Sequence, residues 1–510
     1  MKRILRIALL SIVLFCCNNK KGTIRIQKDN YVQLTEYRMA AEWEPAKGVC
    51  FVWPPVIPKD LVIEFAKDTH IFPVVDGENG KKDAQKWLNK WNIDITKVTF
   101  IDLKTGYSIT TRDWGPSAIF GADGEFKMSD GIFYNMPSTG LACDDSLTFH
   151  KTKEGKLYID PLDTTFVNFA KQLGYKTHKL PFVNTGGNIL TDGIGTAFST
   201  CAILAENNHI DIDDETFFHL CDSLLGISKY NIISNFYPYG IQHIDCLIKL
   251  TDEETMLVAE PPKEHKLYDI YDSIVTHELS KLKTPYNRPY TIKRIKIGKY
   301  YEDEDAEYLS NYTNSLILND KVYVPMFGIK EDSLAMETWA SVMPGYTIKG
   351  FDFVLKDQPL KSVYAHYDEI EELGVKTGWF YDDALHCRDR ALWDENMLFI
   401  SVKKILPYIS KDEKAIVYAT VVDYGDISLV PKEVTLNWRI KGEHTWQYVK
   451  MKSDSNAHFW NAQIPKQEKE IEIEYFVEAV SNSEKSQTRP ITAPKGFYKF
   501  KNTLYKNGYK

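Results

Sequence analysis

The secondary-structure pattern of the chain changes near Met397, and this change limits the possible folds more than any other feature. Between residues 31 and 396, short apolar runs typical of strands alternate with stretches of helical periodicity, which predicts an α/β fold. Between residues 397 and 500, strand-like runs and turn residues follow one another without a helical signal, which predicts a small immunoglobulin-like β-sandwich. A chain of 510 residues is long enough to bury both cores.

The same periodicity predicts where individual elements lie. The predicted strands of the first part span residues 49–53, 98–103, 197–205, 243–250, 255–259 and 316–325. The predicted helices of the first part span residues 59–67, 163–173, 214–225 and 332–342. The predicted strands of the second part span residues 416–421, 434–440, 446–451 and 471–480, and a basic tail is predicted at 501–510.

Residues 1–22 have the pattern of a bacterial export signal. Basic residues precede an apolar run at 7–15, which is far shorter than the about 20 residues of a membrane-spanning helix. The run ends at Cys16 and Cys17, and this end is similar to a loose lipobox, in which Cys17 would carry the lipid. The alternative is a cleaved signal without a lipid. The sequence therefore predicts an exported protein, periplasmic or on the outer membrane or cell surface, that meets the membrane only through this possible anchor.

The charge and the cysteines narrow the class of function. A net charge of −8 argues against a nucleic-acid partner, which needs a basic face. Beyond the signal, the cysteines are Cys50, Cys143, Cys201, Cys221, Cys246 and Cys387. Their spacing, with no CxxC pair, indicates neither a disulfide scaffold nor a zinc site, so no metal or cofactor is predicted. Most unpaired cysteines of an exported protein are buried and inert, which leaves room for one reactive thiol.

Five short motifs lie at strand or turn positions. They are Arg112-Asp113-Trp114-Gly115-Pro116, Gly186-Gly187-Asn188, His243-Ile244-Asp245, Asn314-Ser315-Leu316 and Leu385-His386-Cys387. Each motif alone is also compatible with a structural role, such as a turn that needs a positive φ at Gly-Gly. If residues 243–250 form a strand, His243 and Asp245 point to one face and Cys246 points to the other.

Taken together and in this order, the motifs resemble the family of agmatine deiminases and Porphyromonas-type peptidylarginine deiminases. The segment Met-Ala-Ala-Glu-Trp-Glu-Pro at residues 39–45 is similar to the start of that family, and the resemblance covers about residues 36–396. It implies a guanidino-group-modifying domain at 31–396 with the fold of a five-bladed α/β propeller, called a pentein, whose site lies at its centre. The bacterial peptidylarginine deiminase also carries an immunoglobulin-like domain, here expected at 397–500.

The resemblance assigns a role to each site residue. Cys387 would attack the guanidinium carbon, and His243 would move protons to ammonia and from water. Asp113 and Asp245 would bind the guanidinium, because carboxylates match its fork of donors. Asn314 would line the same site. His386 is expected to support the site, and Cys246 is expected to be structural.

One segment departs from the family pattern. Tyr134-Asn135-Met136-Pro137-Ser138 stands where the bacterial peptidylarginine deiminase has an Arg-Pro-Arg suited to a C-terminal carboxylate. Met136 would then line the substrate pocket, and a preference for C-terminal arginine is not carried over. Three functions remain open: a peptidylarginine deiminase, an agmatine-type hydrolase of a small guanidino compound, and a protein that binds arginine without turnover.

Overall fold

The computed structural model of the protein describes residues 30–32, 35–103, 110–133, 161–238, 242–302, 307–352, 379, 383–410, 412–454, 456–467 and 469–503. The strands of the first part are β1 (Tyr37–Met39), β2 (Ala46–Val52), β3 (His70–Val75), β4 (Ile101–Asp102), β5 (Ala118–Gly121), β6 (Phe126–Ile132), β7 (Lys176–Val183), β8 (Leu190–Thr191), β9 (Thr196–Thr200), β10 (Lys229–Ile233), β11 (Ile248–Asp252), β12 (Thr255–Glu260), β13 (Thr291–Lys296), β14 (Lys299–Glu302), β15 (Glu307–Leu309), β16 (Leu316–Leu318), β17 (Lys321–Met326), β18 (Thr347–Asp352) and β19 (Asp389–Trp393). The helices are α1 (Lys59–Asp68), α2 (Gly77–Lys90), α3 (Thr111–Trp114), α4 (Thr165–Gln172), α5 (Ala202–Asn208), α6 (Asp214–Leu225), α7 (Tyr268–Ser273), α8 (Glu331–Val342) and α9 (Leu385–Arg388).

Five sheets of the first part share one pattern. In each sheet two strands pair antiparallel, the second strand continues into a helical crossover, and a third strand returns parallel to the second. The antiparallel pairs are β5/β6, β8/β9, β11/β12, β16/β17 and β19/β2, and the parallel strands are β7, β10, β13, β18 and β3. The α/β class is confirmed. The closed five-bladed propeller stays a prediction.

The helices form where the predicted periodicity places them. In α1 the buried side chains are Leu61, Val62, Phe65 and Ala66, which form one apolar stripe. The α6 helix is capped at both ends, because Asp213 accepts a 2.8 Å hydrogen bond from the Thr216 backbone and Gly226 closes the last turn with a φ of 67°. The predicted helices at 59–67, 163–173, 214–225 and 332–342 are confirmed to within a few residues.

Four predicted strands of the first part differ from the structure. The prediction at 197–205 joined β9 to α5, since both are apolar, and that at 98–103 shortens to β4. The prediction at 316–325 is a hairpin that turns at Asn319, whose φ of 55° is tolerated by asparagine. The prediction at 243–250 contains a 3₁₀ turn, Ile244–Cys246, before β11 begins. The strict alternation of faces expected there does not apply.

The second part consists of strands. They are β20 (Leu398–Lys403), β21 (Tyr408–Ser410), β22 (Ile416–Asp423), β23 (Glu433–Ile440), β24 (Gln447–Lys450), β25 (Lys452–Ser453), β26 (Phe459–Gln463), β27 (Glu472–Val480), β28 (Ser486–Arg489) and β29 (Tyr498–Thr503). They form two sheets, and the buried residues Val417, Leu436, Tyr475 and Val477 from both sheets share one hydrophobic core. The four predicted strands are confirmed, but the predicted tail at 501–510 begins inside β29. The immunoglobulin-like topology and the domain limits stay predictions.

The two parts are joined by a mixed polar and apolar contact. Arg489 donates a 2.8 Å hydrogen bond to Glu253, and both side chains are buried. Lys404 lies 2.7 Å from Asp252. Because Asp252 ends β11 and Glu253 lies in the turn to β12, the second part contacts the hairpin that follows Asp245 in the chain. Within the described part of the chain, no helix has the length and apolar character needed to span a membrane.

Candidate active site

Each of the five sheets is preceded by one of the motifs. Asp113 lies in α3 before β5, the Gly186–Asn188 turn lies before β8, and Asp245 lies in the 3₁₀ turn before β11. Asn314 comes just before β16, and Cys387 lies in α9 just before β19. The structure brings these side chains together, and all of them are buried. The site is therefore built from equivalent positions of the five sheets.

Gly187 is required by the close approach of two site residues. A Cβ atom at Gly187 would lie 2.6 Å from His243 Nδ1 and 2.7 Å from Asp113 Oδ1. The Gly187 backbone N–H donates a 3.2 Å hydrogen bond to Asp113. Its φ is not positive, so the alternative of a left-handed turn does not explain this glycine. Asn188 supports the same region, because its Oδ1 accepts hydrogen bonds from the backbones of Thr200 and Ile244.

Asp113 and His243 lie side by side in the site. His243 Nδ1 is 3.4 Å from Asp113 Oδ1. Within the described residues, neither ring nitrogen of His243 makes a hydrogen bond. Burial raises the pKa of Asp113, the charge of His243 lowers it, and the charge of Asp245 raises it further. Both side chains are therefore available to a polar ligand in the site.

Asp245 ends a buried chain of charged groups. Asp245 Oδ2 is 2.7 Å from His386 Nδ1, and His386 Nε2 is 2.8 Å from Glu42 Oε2. Lys249 Nζ donates to Glu42 at 2.9 Å. Burial opposes the charge of Asp245, but the hydrogen bond and charge of His386 lower its pKa overall. Asp245 is thus held ionised.

His386 touches a carboxylate with each ring nitrogen. A neutral ring could donate to only one of them, so these two contacts favour the doubly protonated form. Burial and the nearby charge of Arg112 act against it and lower the pKa of His386. Glu42 and Asp245 act in the opposite direction and favour the charged ring. The expectation that His386 supports the site agrees with this placement.

Asn314 fixes the turn that carries the cysteine. Its Oδ1 accepts hydrogen bonds from the backbone N–H groups of Ala384 at 3.2 Å and Cys387 at 3.1 Å. These contacts direct the amide nitrogen to Cys387 Sγ at 3.2 Å and to Cys246 Sγ at 3.7 Å. Asn314 therefore orients the sulfur of Cys387.

Cys246 lies beside Cys387, so the expectation that it points to the opposite face is wrong, whereas its structural role stays a prediction. The 3₁₀ turn brings consecutive residues to the same region, so the sulfurs and the Asp245 carboxylate lie within 4.8 Å of one another. The hydrogen bond with Cys246, burial and the charge of Asp245 all raise the pKa of the Cys387 thiol well above its usual range. In the ligand-free site Cys387 is therefore a thiol.

Sequence reasoning assigned no role to several supporting residues. Arg388 holds α9 in place, since its guanidinium donates to Asp383 at 2.8 to 3.0 Å. Arg390 donates to the Arg112 carbonyl at 2.7 Å and so fixes the loop of Asp113. Glu42 lies in the segment at 39–45, and the similarity of that segment to the start of the family was the only indication in the sequence that Glu42 matters. Met136 and Cys17 lie outside the described residues, and their roles stay predictions.

The chain is similar to a known protein family and to known proteins. The model of the Porphyromonas-type peptidyl-arginine deiminase family matches residues 38–355, which include Asp113, His243, Asp245 and Asn314 and end before Cys387. A protein of Mycoplasma capricolum subsp. capricolum named "Putative agmatine deiminase" is 24% identical over 342 residues, or 61% of this chain and 89% of that protein.

Two solved structures are similar in fold. Agmatine deiminase of Enterococcus faecalis matches with a TM-score of 0.52 and 19% identity over 71% of this chain and 96% of the other chain. A "Putative Arginine Deiminase" from Porphyromonas gingivalis matches with a TM-score of 0.52 and 17% identity over 70% and 99% of the two chains. At these identities the likeness establishes a shared α/β fold.

Proposed function

The chain belongs to the Porphyromonas-type peptidyl-arginine deiminase family, and we propose that it hydrolyses the guanidinium group of peptidyl-arginine to citrulline and ammonia. It is an enzyme of the deiminase class, a hydrolase that acts on C–N bonds. One observation carries the proposal: two buried carboxylates, Asp113 and Asp245, lie with a cysteine and a histidine whose ring nitrogens have no hydrogen-bond partner among the described residues.

The two carboxylates would bind the guanidinium group. A guanidinium is a planar cation whose N–H groups match carboxylate oxygens in pairs. Burial raises the pKa of Asp113 in the ligand-free site, and a bound cation would favour its ionised form. His386 already holds Asp245 ionised. Fixed in this way, the central carbon of the substrate lies ready for attack.

Cys387 would be activated by the substrate itself. Its thiol is neutral in the ligand-free site, and a guanidinium beside it would favour the thiolate. The released proton passes to a neighbouring base or to solvent. Asn314 donates a 3.2 Å contact to the sulfur and keeps it oriented. The thiolate then forms an S–C bond to the guanidinium carbon.

His243 would move the protons of both half-reactions. It gives a proton to the departing amino group, so that the C–N bond breaks and ammonia leaves a thiouronium on Cys387. It then takes a proton from water, which attacks the same carbon. The S–C bond breaks, Cys387 leaves as thiolate, and the product is a ureido group. The ring nitrogens of His243, which make no hydrogen bond within the described residues, fit this role.

A second candidate is hydrolysis of a small guanidino compound such as agmatine. Two of the similar proteins carry the name agmatine deiminase. Met136 and Ser138 stand in place of the two arginines expected for a carboxylate clamp, and agmatine has no carboxylate to bind. The export signal and the second part favour the peptide substrate. Binding of arginine without turnover is a third and weaker candidate, because all five site residues are present.

The proposal also includes the fold of the protein and its location. The shared strand pattern of the five sheets supports a five-bladed propeller with the site at its centre, followed by an immunoglobulin-like sandwich.

The predicted export signal at 1–22 supports an exported protein anchored through Cys17. Cys201 is disulfide-bonded, contrary to the expectation of unpaired cysteines, and disulfides persist mainly in exported proteins. Palmitate labelling that disappears in Cys17→Ala would support the anchor, and labelling that persists would oppose it.

The test measures release of ammonia and ureido product by the purified full-length protein. The substrates are agmatine, free arginine, a peptide that ends in arginine and the same peptide with an internal arginine. Turnover of the peptides, lost in Cys387→Ser and kept in Cys221→Ser, is the expected result. Cys221 is a suitable control because it is a buried cysteine in α6, away from the site. Turnover of agmatine alone would support the second candidate, and absence of any turnover would refute the proposed function.

A further inference from the structure

The geometry points to a second ligand for this site: one thiophilic divalent cation of the zinc class, bound by Cys387, Cys246 and Asp245. The three ligand atoms lie within 4.8 Å of one another, and all three residues are buried. Cys246 Sγ is 3.5 Å from Asp245 Oδ1, and Cys387 Sγ is 3.9 Å from Asp245 Oδ2. Neither cysteine is part of a disulfide.

These separations match the edges of a coordination tetrahedron. Zinc binds sulfur at about 2.3 Å and carboxylate oxygen at about 2.0 Å, which places a sulfur and an oxygen about 3.5 Å apart and two sulfurs about 3.8 Å apart. The 3.5 Å between Cys246 Sγ and Asp245 Oδ1 equals such an edge. The 3.9 Å contact of Cys387 Sγ is with the other carboxylate oxygen, Oδ2, so Cys387 must move toward Oδ1, from within the 4.8 Å that spans the three ligand atoms. Two thiolates with one carboxylate also favour zinc over calcium or magnesium, which prefer oxygen ligands.

Neighbouring residues provide outer hydrogen bonds of the kind found at metal sites. His386 donates to Asp245 Oδ2 at 2.7 Å and leaves Oδ1 toward Cys246. The amide nitrogen of Asn314 contacts both sulfurs, at 3.2 Å and 3.7 Å, and its N–H groups suit thiolate acceptors. With three protein ligands, the fourth position of the ion remains open to water.

The cation would block catalysis reversibly. Binding releases the two thiol protons to solvent and forms two metal–sulfur bonds and one metal–oxygen bond. If the proposed function holds, the ion then occupies the nucleophile and one guanidinium-binding carboxylate, and it competes with the substrate. This inhibition rests on the proposed function, whereas the binding of the cation does not.

Cobalt(II) is the probe for binding, because thiolate ligands give it charge-transfer and visible bands. Full-length protein, reduced with a phosphine, is titrated with cobalt(II) alone. We expect one equivalent to produce both bands and zinc(II) to displace it. Cys246→Ser and Asp245→Asn should weaken binding by about a hundredfold or more, since loss of an outer contact alone costs about 10–100-fold. Cys221→Ser, which removes a buried cysteine outside the site, should bind as the parent protein does.

Two assays separate this inference from the proposed function. Zinc should abolish turnover, and a chelator should restore it. A high substrate concentration should raise the zinc concentration needed for inhibition. Cobalt binding without any turnover of guanidino substrates would refute the function and leave the metal site. Equal cobalt affinity in the parent and in Cys246→Ser, with an unchanged thermal transition in that variant, would overturn the inference, as would a titration without thiolate bands.

Discussion

At the scale of single residues, the protonation of Cys387 is the property most open to test. Cys246, burial and Asp245 keep its thiol neutral when no cation is bound. Neutral iodoacetamide should therefore label Cys387 slowly at neutral pH and faster as the pH rises. A cationic haloacetamidine should react at least about tenfold faster at neutral pH, because a shift of one pKa unit changes the thiolate fraction tenfold. Peptide mapping by mass spectrometry locates the label, and equal rates for both reagents would contradict substrate-assisted activation.

His386 is a positioning residue whose effect appears in the pH profile. It lowers the pKa of Asp245, so its contribution to an ionised Asp245 is present above the usual carboxyl pKa and lost as the pH falls. In His386→Asn the pKa of Asp245 should rise, and the acidic limb of kcat/KM should move to higher pH. Below both pKa values, the activity ratio to the parent protein should be about tenfold lower for each unit of this shift, and above both it should level off. His265→Asn, near Glu307, should keep the parent profile; a uniform loss in His386→Asn would indicate a merely structural role.

At the scale of elements, the Gly186–Asn188 turn allows Asp113, which lies before β5, and His243, which lies before β11, to approach each other. A methyl group at Gly187 would lie 2.6 Å from His243 and 2.7 Å from Asp113. Gly187→Ala should reduce kcat by about a hundredfold, because a displacement of about 1 Å in a catalytic group costs that much. Gly80→Ala in α2 is the matched control, since the new Cβ would lie at an ordinary contact distance of 3.6 Å from its nearest neighbour, Val75 of β3. It should raise the thermal transition slightly and keep full activity. Full activity in Gly187→Ala would refute the close-approach argument.

The elements also show what the sequence could predict. Capped, amphipathic helices such as Asp214–Leu225 were predicted within one or two residues, because their signals are local. The turn at Ile244–Cys246 was predicted as a strand, since its apolar residues have no local signal for a 3₁₀ turn. Because of this difference, Cys246 was predicted on the opposite face, whereas it lies in the site. The ion pairs of Glu42 with Lys249 and His386 join residues about 200 or more positions apart, which no local pattern encodes.

At the scale of the whole molecule, the five sheets repeat one strand pattern without a visible sequence repeat. Their crossovers differ in length and in the number of helices, so no constant period survives in the sequence. The order of the motifs nevertheless identifies the family, because each motif occupies the same place before its sheet. Function was thus easier to predict from a few site residues than architecture was from periodicity.

The contact between the two parts gives the last prediction. Arg489 and Glu253 form a buried pair at 2.8 Å, and Glu253 belongs to the turn of the hairpin that follows Asp245. Arg489→Met leaves a buried carboxylate unpaired, which typically costs about 3–5 kcal/mol, so Tm should fall by several degrees. Activity should fall with it, because the hairpin positions Asp245.

Two further variants decide whether this contact supports the site. In Glu253→Gln with Arg489→Met, no charge remains unpaired, so most of the lost stability should return. Arg439→Met breaks a 2.7 Å pair with Glu474 inside the second part and should leave kcat/KM unchanged. Calorimetry and steady-state kinetics on the four proteins provide the readout. If Arg489→Met retains the parent Tm and kcat/KM, the second part does not brace the active site, and its role must lie outside catalysis.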